Sequence, residues 1–203
     1  MPTALPPAFR ESWRPIGTRT RESRLVMTST TAETTLYEHV PTADTPGDRD
    51  PRPDDREIPV RSLFAIDLEI TPSLPSMGVS PRAVLGMAAG HVKRQFVRNV
   101  EADGLCVDGE ETTTDFERSD GTAGKRYVLS TSAPIDPHAV CGDHSIPAET
   151  HVAVWPTARS YGVAGGTLPL SAPDGLEDVL VVDPDRDRER ILEFARTVTP
   201  GEE

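Results

Sequence analysis

From Leu63 to Ile70 apolar and polar positions alternate. Phe64, Ile66, Leu68 and Ile70 fall on one side, with Ala65, Asp67 and Glu69 on the other, the period of a half-buried strand. After the turn-rich Thr71–Val79 the period lengthens. Val84, Ala88, Val92, Phe96 and Val100 recur every four residues and draw one apolar stripe down a helix spanning about residues 81–103. Ser80 suits its N-cap, Pro81 its first position, and Gly104 the left-handed position past its end. Inside it, Gly86-Met87-Ala88-Ala89-Gly90 has GxxxG spacing, which in this setting predicts close packing of helix on sheet.

Beyond Gly104 the short period returns. Leu105-Cys106-Val107 and Thr112–Arg118 read as a strand, and Ser119–Gly124, with its Asp-Gly pair, as a hairpin turn. Arg126–Ala133 is the return strand and Pro134–Pro147 a loop. Thr150–Trp155 and Tyr161–Leu170 form a further pair around the turn Pro156–Ser160. Gly165-Gly166 signals a bulge or a close backbone approach. Residues 171–182 fit strand or helix. Asp183 then caps a last helix of about residues 184–198. Pro184 takes its first position, Asp185, Asp187 and Glu189 suit its positive end, and Ile191, Phe194, Ala195 and Val198 are its buried face. The order β-α-β-β-β-β-α groups strands between helices. It predicts an α+β domain over residues 61–199, an antiparallel sheet of about five strands with both helices packed on one face.

The first sixty residues carry little apolar periodicity. Residues 1–26 hold five arginines against Glu11 and Glu22, an Arg-rich disordered leader, with translation from Met27 as an alternative reading. Residues 27–60 mix Thr, Pro, Asp and Arg around a small island of Leu36, Tyr37 and Val40. Such a segment buries too little to offset about 1–2 kcal/mol of backbone entropy per residue, so it is expected to be a disordered linker.

Charge narrows the function classes. The chain has 33 acids against 21 bases, a net charge of −12. Only Lys93 and Lys125 are lysines, and Gln95 and Asn99 are the only amide side chains. This bias suggests a high-salt cytoplasm and an archaeal, halophilic source, since salt near 1 M shortens the Debye length to about 3 Å and makes a dense acidic surface tolerable. Nucleic acid is an unexpected partner, because phosphate binding needs a basic face. No stretch of about 18 apolar residues predicts a membrane span. Cys106 and Cys141 do not make a disulfide framework and are expected to be thiols in a reducing cytoplasm, with a single bridge as the alternative.

Two likenesses follow from particular residues. The run from Phe64 through Pro81 to Gly104, with Ala153-Val154-Trp155 and Ala164-Gly165-Gly166-Thr167, resembles an uncharacterised family of haloarchaeal proteins over about residues 60–199. The element order and the tryptophan strand also resemble the PsbP-like α/β sandwich. That likeness implies a non-catalytic binding or assembly protein, with an unknown protein or small molecule as partner.

The most suggestive chemistry lies in His138-Ala139-Val140-Cys141-Gly142-Asp143-His144. Its H-x₂-C-x₂-H spacing makes His138, Cys141 and His144 candidate metal ligands, imidazole and thiolate together suiting zinc or copper, with zinc the metal named and Cys106 or Asp143 as a fourth ligand. The competing reading is a polar loop without cofactor. Asp67/Glu69, Glu110/Glu111 and Asp115/Glu117 are carboxylate pairs that a solvated acidic surface also produces. His91 and His151 read as ordinary helix-flank and strand residues. No catalytic residue is assigned, so the chain reads first as a binding or assembly module and second as a metal-dependent protein or enzyme.

Overall fold

The computed structural model describes residues 3–25, 28–40, 59–134, 145–172 and 181–201. Along the chain run β1 (Trp13–Leu25), β2 (Thr28–His39), β3 (Ser62–Thr71), α1 (Leu85–Ala102), β4 (Cys106–Glu117), β5 (Ala123–Pro134), β6 (Ser145–Pro156), β7 (Tyr161–Pro169) and α2 (Pro184–Thr197). The strands form one seven-stranded sheet, ordered β1-β2-β3-β7-β6-β5-β4, and each neighbouring pair is antiparallel. Two meanders, β1–β3 and β4–β7, meet at the β3–β7 pair. The crossover containing α1 carries the chain from β3 to the far edge at β4.

This corrects the five-stranded expectation twice. Residues 13–25 and 28–39, expected to be disordered, are two long strands. They pair with each other throughout, and β2 pairs with β3 from Ser29↔Thr71 to Glu38↔Ser62. Low hydrophobicity hid them; their stability comes from ladder bonds and from Thr, a residue that favours strands. Residues 41–58 of the expected linker lie outside the described residues.

The second correction is that the helices lie on opposite faces. Leu63 and Ala65 of β3 pack with Ile191, Phe194 and Ala195 of α2, whereas Phe64, Ile66 and Leu68 pack with Ala89, Phe96 and Val100 of α1. The sheet is therefore the middle of three layers. In β6, Ala148 to Pro156 are buried without interruption, as is all of β7. Strands covered on both sides lose the polar alternation that marks a one-sided sheet.

The two helices differ at their starts. Asp183 caps α2 as expected, its Oδ1 accepting from Arg186 N at 3.2 Å, with Asp185 and Asp187 in the first turn. In contrast, α1 begins at Leu85 rather than near residue 81. Val84 is its N-cap and offers no side-chain bond. Its end is as expected: Asp103 is the C-cap and Gly104 follows at φ 95°, a backbone conformation that glycine adopts without a Cβ penalty. Phe96 meets Phe64 with ring centroids 4.8 Å apart.

The two glycine signals have different outcomes. A Cβ at Gly166 would lie 2.5 Å from Ser62 O and 2.9 Å from Ile191, the expected close approach, here of β7 to β3 and α2. A Cβ at Gly86 would meet nothing within 4 Å, and one at Gly90 only Arg94 at 3.7 Å. The GxxxG spacing therefore does not mark tight helix-on-sheet contact.

The outer parts of the sheet reach over both helices. Arg19 and Arg21 of β1 hold Asp103, the α1 C-cap, at 3.1 and 2.9 Å. Six strand spacings of about 4.8 Å would separate the edges of a flat sheet by about 29 Å. Twist and coiling are needed to bring β1 to the helix end that leads into β4. On the other face the N-terminal segment folds over α2, with Phe9 and Tyr37 edge-on to Phe194 at 5.4 and 5.7 Å. Burial pushes the Tyr37 hydroxyl up to about 12. Arg118, buried against the Trp155 ring, donates to Ala195 O and Val198 O at 3.2 and 2.7 Å and so satisfies the open carbonyls at the end of α2.

Candidate functional site

The loop proposed to bind metal falls at residues 135–144, so His138, Cys141 and His144 lie outside the described residues. Among the described residues no group of three or more His, Cys, Asp or Glu side chains is placed to hold a metal ion. Cys106, expected to be a thiol and a candidate fourth ligand, is disulfide-bonded and has no thiolate to give. The chain's one other cysteine is Cys141.

The carboxylate pairs separate by environment. Asp67 and Glu69 share the α2 side of β3 as expected, and the register adds Glu33 directly opposite Asp67. Burial, then the neighbouring charges of Glu33 and Glu69, push the Asp67 carboxyl above its ordinary value. Asp115 instead takes Lys125 Nζ at 2.6 Å. The side chains of Glu110 and Glu111 lie outside the described residues.

Sequence reasoning missed the densest ionisable cluster, also on the α2 side. His151, mid-strand in β6 and 4% exposed, meets Glu149 Oε1 through Nε2 at 2.5 Å. Arg188 of α2 clamps the same carboxylate, Nε to Oε1 at 2.9 Å and an amine to Oε2 at 3.0 Å. Arg126 of β5 is diagonal to His151 in the register and donates to Thr114 Oγ1. Burial raises the Glu149 carboxyl, but the hydrogen bonds from Arg188 and His151 outweigh it and leave the group below its usual range. Burial also keeps His151 below the usual histidine range, against the pull of Glu149. The imidazole is therefore neutral near pH 7, with its proton on Nε2 facing the carboxylate.

A carboxylate-oriented imidazole is the core of a general base, and among the described residues Nδ1 has no partner. At 4% exposure that lone pair does not reach solvent, so the cluster joins α2 to the sheet rather than opening to a substrate. The strand spacing of Glu149 and His151 was the readable signal. Arg188 enters only through the packing of α2.

Two cavities among the described residues do not include this cluster. A cavity of about 380 Å³ at the β5–β6 end is lined by Asp108, Ser130, Thr131, Ser132, Ser145, Pro147, Ala148 and Leu170. Another, of about 620 Å³, lies between residues 4–8 and the end of α2.

The outer side of α1 is different. Between Ile70 and Val100 the sequence holds no Asp or Glu, although acids make up 33 of the 203 residues. Met87, His91, Arg94 and Arg98, spaced i, i+4, i+7 and i+11, are exposed along one side of the helix. Met87 is 79% exposed, and Met77 in the preceding turn is 40% exposed. Among the described residues Arg82, Arg94 and Arg98 have no ion-pair partner. The total of −12 thus conceals a basic face, which the expectation from net charge had missed.

A family model described as a domain of unknown function, DUF6517, matches residues 11–199. The chain belongs to the DUF6517 family. The DUF6517 match includes β1 and β2, the strands that low hydrophobicity concealed. Neither curated proteins nor solved structures gave a match. Among the described residues no helix of this DUF6517 domain is long and apolar enough to cross a membrane.

Proposed function

We propose that this DUF6517 chain is a non-catalytic binding or assembly module that docks through the outer side of α1. The observation that carries this reading is the acid-free stretch 70–100, which exposes Arg82, Arg94 and Arg98 without ion-pair partners in an acidic chain. The ionisable groups that do converge, Arg188, Glu149 and His151, bond to one another, with Glu149 and His151 buried. Arginine and methionine are enriched at interfaces, where Asp and Glu are depleted. The disulfide at Cys106 supports an oxidising working environment in place of a reducing cytoplasm.

Retention on immobilised poly-L-glutamate tests the reading. A uniformly acidic protein passes such a resin unretained, whereas a basic face holds it at low salt. Retention is expected, and R82E/R94E/R98E should abolish it with an unchanged melting temperature. Passage of the unaltered protein without delay would overturn the reading.

A further inference from the structure

We propose that the surface docked by α1 is an anionic lipid surface, met by the helix lying along it; this rests on the reading of that side as the docking face. The stripe from Met87 to Arg98 covers twelve residues, about 16 Å of helix from first to last. It is the outer, convex side of a helix and free of acid, with His91 and Arg94 between its ends. Met77 and Met87 are two of the four large apolar side chains exposed among the described residues, the others being Ile16 and Val181. Both stand at the N-terminal end of the basic stretch, where Tyr161 OH donates to Pro81 O at 3.0 Å and pins the connecting turn to the sheet. A fixed helix that presents apolar tips beside arginines matches an interfacial helix. Its methionines enter the acyl boundary while the arginines keep their charge at the headgroups.

Neither cavity lies on this side, and a charged plane needs none. A protein partner would be expected to fill a recess with an anchoring side chain, and α1 presents a convex surface instead. A nucleic acid would be expected to use a basic groove or a platform of stacked aromatic rings, and the outer stripe of α1 has no Phe, Tyr or Trp.

Co-sedimentation of the full chain with vesicles tests the proposal. Binding is expected to phosphatidylglycerol–phosphatidylcholine vesicles and not to phosphatidylcholine alone. It should weaken as KCl is raised. Met77→Ser/Met87→Ser should weaken vesicle binding at least tenfold while poly-L-glutamate retention is kept, and R82E/R94E/R98E should remove both. Retention on poly-L-glutamate without vesicle binding would move the partner to an acidic protein surface and overturn the lipid assignment alone. Loss of both in the unaltered protein would overturn the docking face as well. Equal binding to both vesicle types, or binding indifferent to the methionine substitutions, would also overturn the lipid assignment.

Discussion

The two helices cover opposite faces of one sheet, and they do so by different means. α2 is held at four places: Asp183 at its start, Arg118 at its end, Arg188 along its flank, and Phe194 between Phe9 and Tyr37. α1 has no side-chain N-cap, carries two glycines, and turns Met87, Arg94 and Arg98 outward. A helix tied at both ends and along its flank is committed to stabilising the fold. One that is buried along a single stripe leaves its other side for a partner. The contrast predicts that disturbing α2 costs stability, and that the outer side of α1 can change with little cost.

The largest effect expected from the contrast is at the aromatic anchors. Phe194→Ala removes a fully buried ring with two edge-on partners, and should cost about 4–5 kcal/mol through lost transfer energy, a residual cavity and lost aromatic pairs. Phe96 is 8% exposed and tilted on Phe64 alone. Its replacement by Ala should cost about 3 kcal/mol, because a one-sided helix can settle into the gap. Urea unfolding of the two variants measures both. An equal or larger loss at Phe96 would mean that α1 is as locked as α2 and would end the contrast.

The α2 side also sets the response to acid, through groups of opposite sign. The lowered carboxyl of Glu149 contributes stability that is present above its ordinary value of 4.5 and is lost as pH falls through its folded value. His151, buried neutral, acts in the same direction. The unfolded chain takes up its proton near 6.5 while the folded chain resists, so stability falls as pH drops below that point. Asp67 opposes them. Its raised carboxyl binds a proton more readily in the folded state, so stability gains as pH falls through its folded value toward 3.8. From about pH 7 to 5 the melting temperature should fall, and His151→Leu should flatten that fall. Asp67→Asn should stabilise the protein at neutral pH, with the gain vanishing in acid. An unaltered slope in His151→Leu would show that the buried cluster does not control the acid response.

Which parts were legible in the sequence follows from where each element gets its stability. The end of α1, the cap and buried face of α2, and the four strands from β4 to β7 were readable because local turn chemistry or an apolar period specified them. β1 and β2 were not. Arg19 and Arg21 lie on the side of β1 that faces α1 and reach Asp103, so positions that would ordinarily be apolar are charged. The Thr run from 28 to 35 was the remaining strand signal, outweighed by the search for apolar period. Helix placement failed for a related reason. The alternation in β3 fixed two faces but did not reveal that Ala65, on the more polar one, would be covered by α2. Of the candidate site, the zinc loop was named on spacing alone and lies outside the described residues. The basic face was already present in the sequence as thirty-one residues without an acid, hidden by the whole-chain total.

The smallest effect is the most direct test of α1 as an open helix. Gly86 and Gly90 were expected to make room for a close neighbour, and the space beside both is open enough for a methyl group. Neither has the positive φ that would reserve its position for glycine. Alanine there keeps the helical backbone and removes conformational freedom from the unfolded chain, so Gly86→Ala and Gly90→Ala should each stabilise by about 0.5–1 kcal/mol. Arg94 is the one side chain near Gly90, and its free end can shift by the small amount a methyl requires. Urea midpoints of the two single variants and the double variant measure the gain, which should add to within about 0.5 kcal/mol if the two sites act independently. A loss at either position would mean that something packs against the outer side of the helix in solution, as a second copy of the chain would. In that case the loss should grow with protein concentration, whereas a helix open to solvent gives a gain at every concentration.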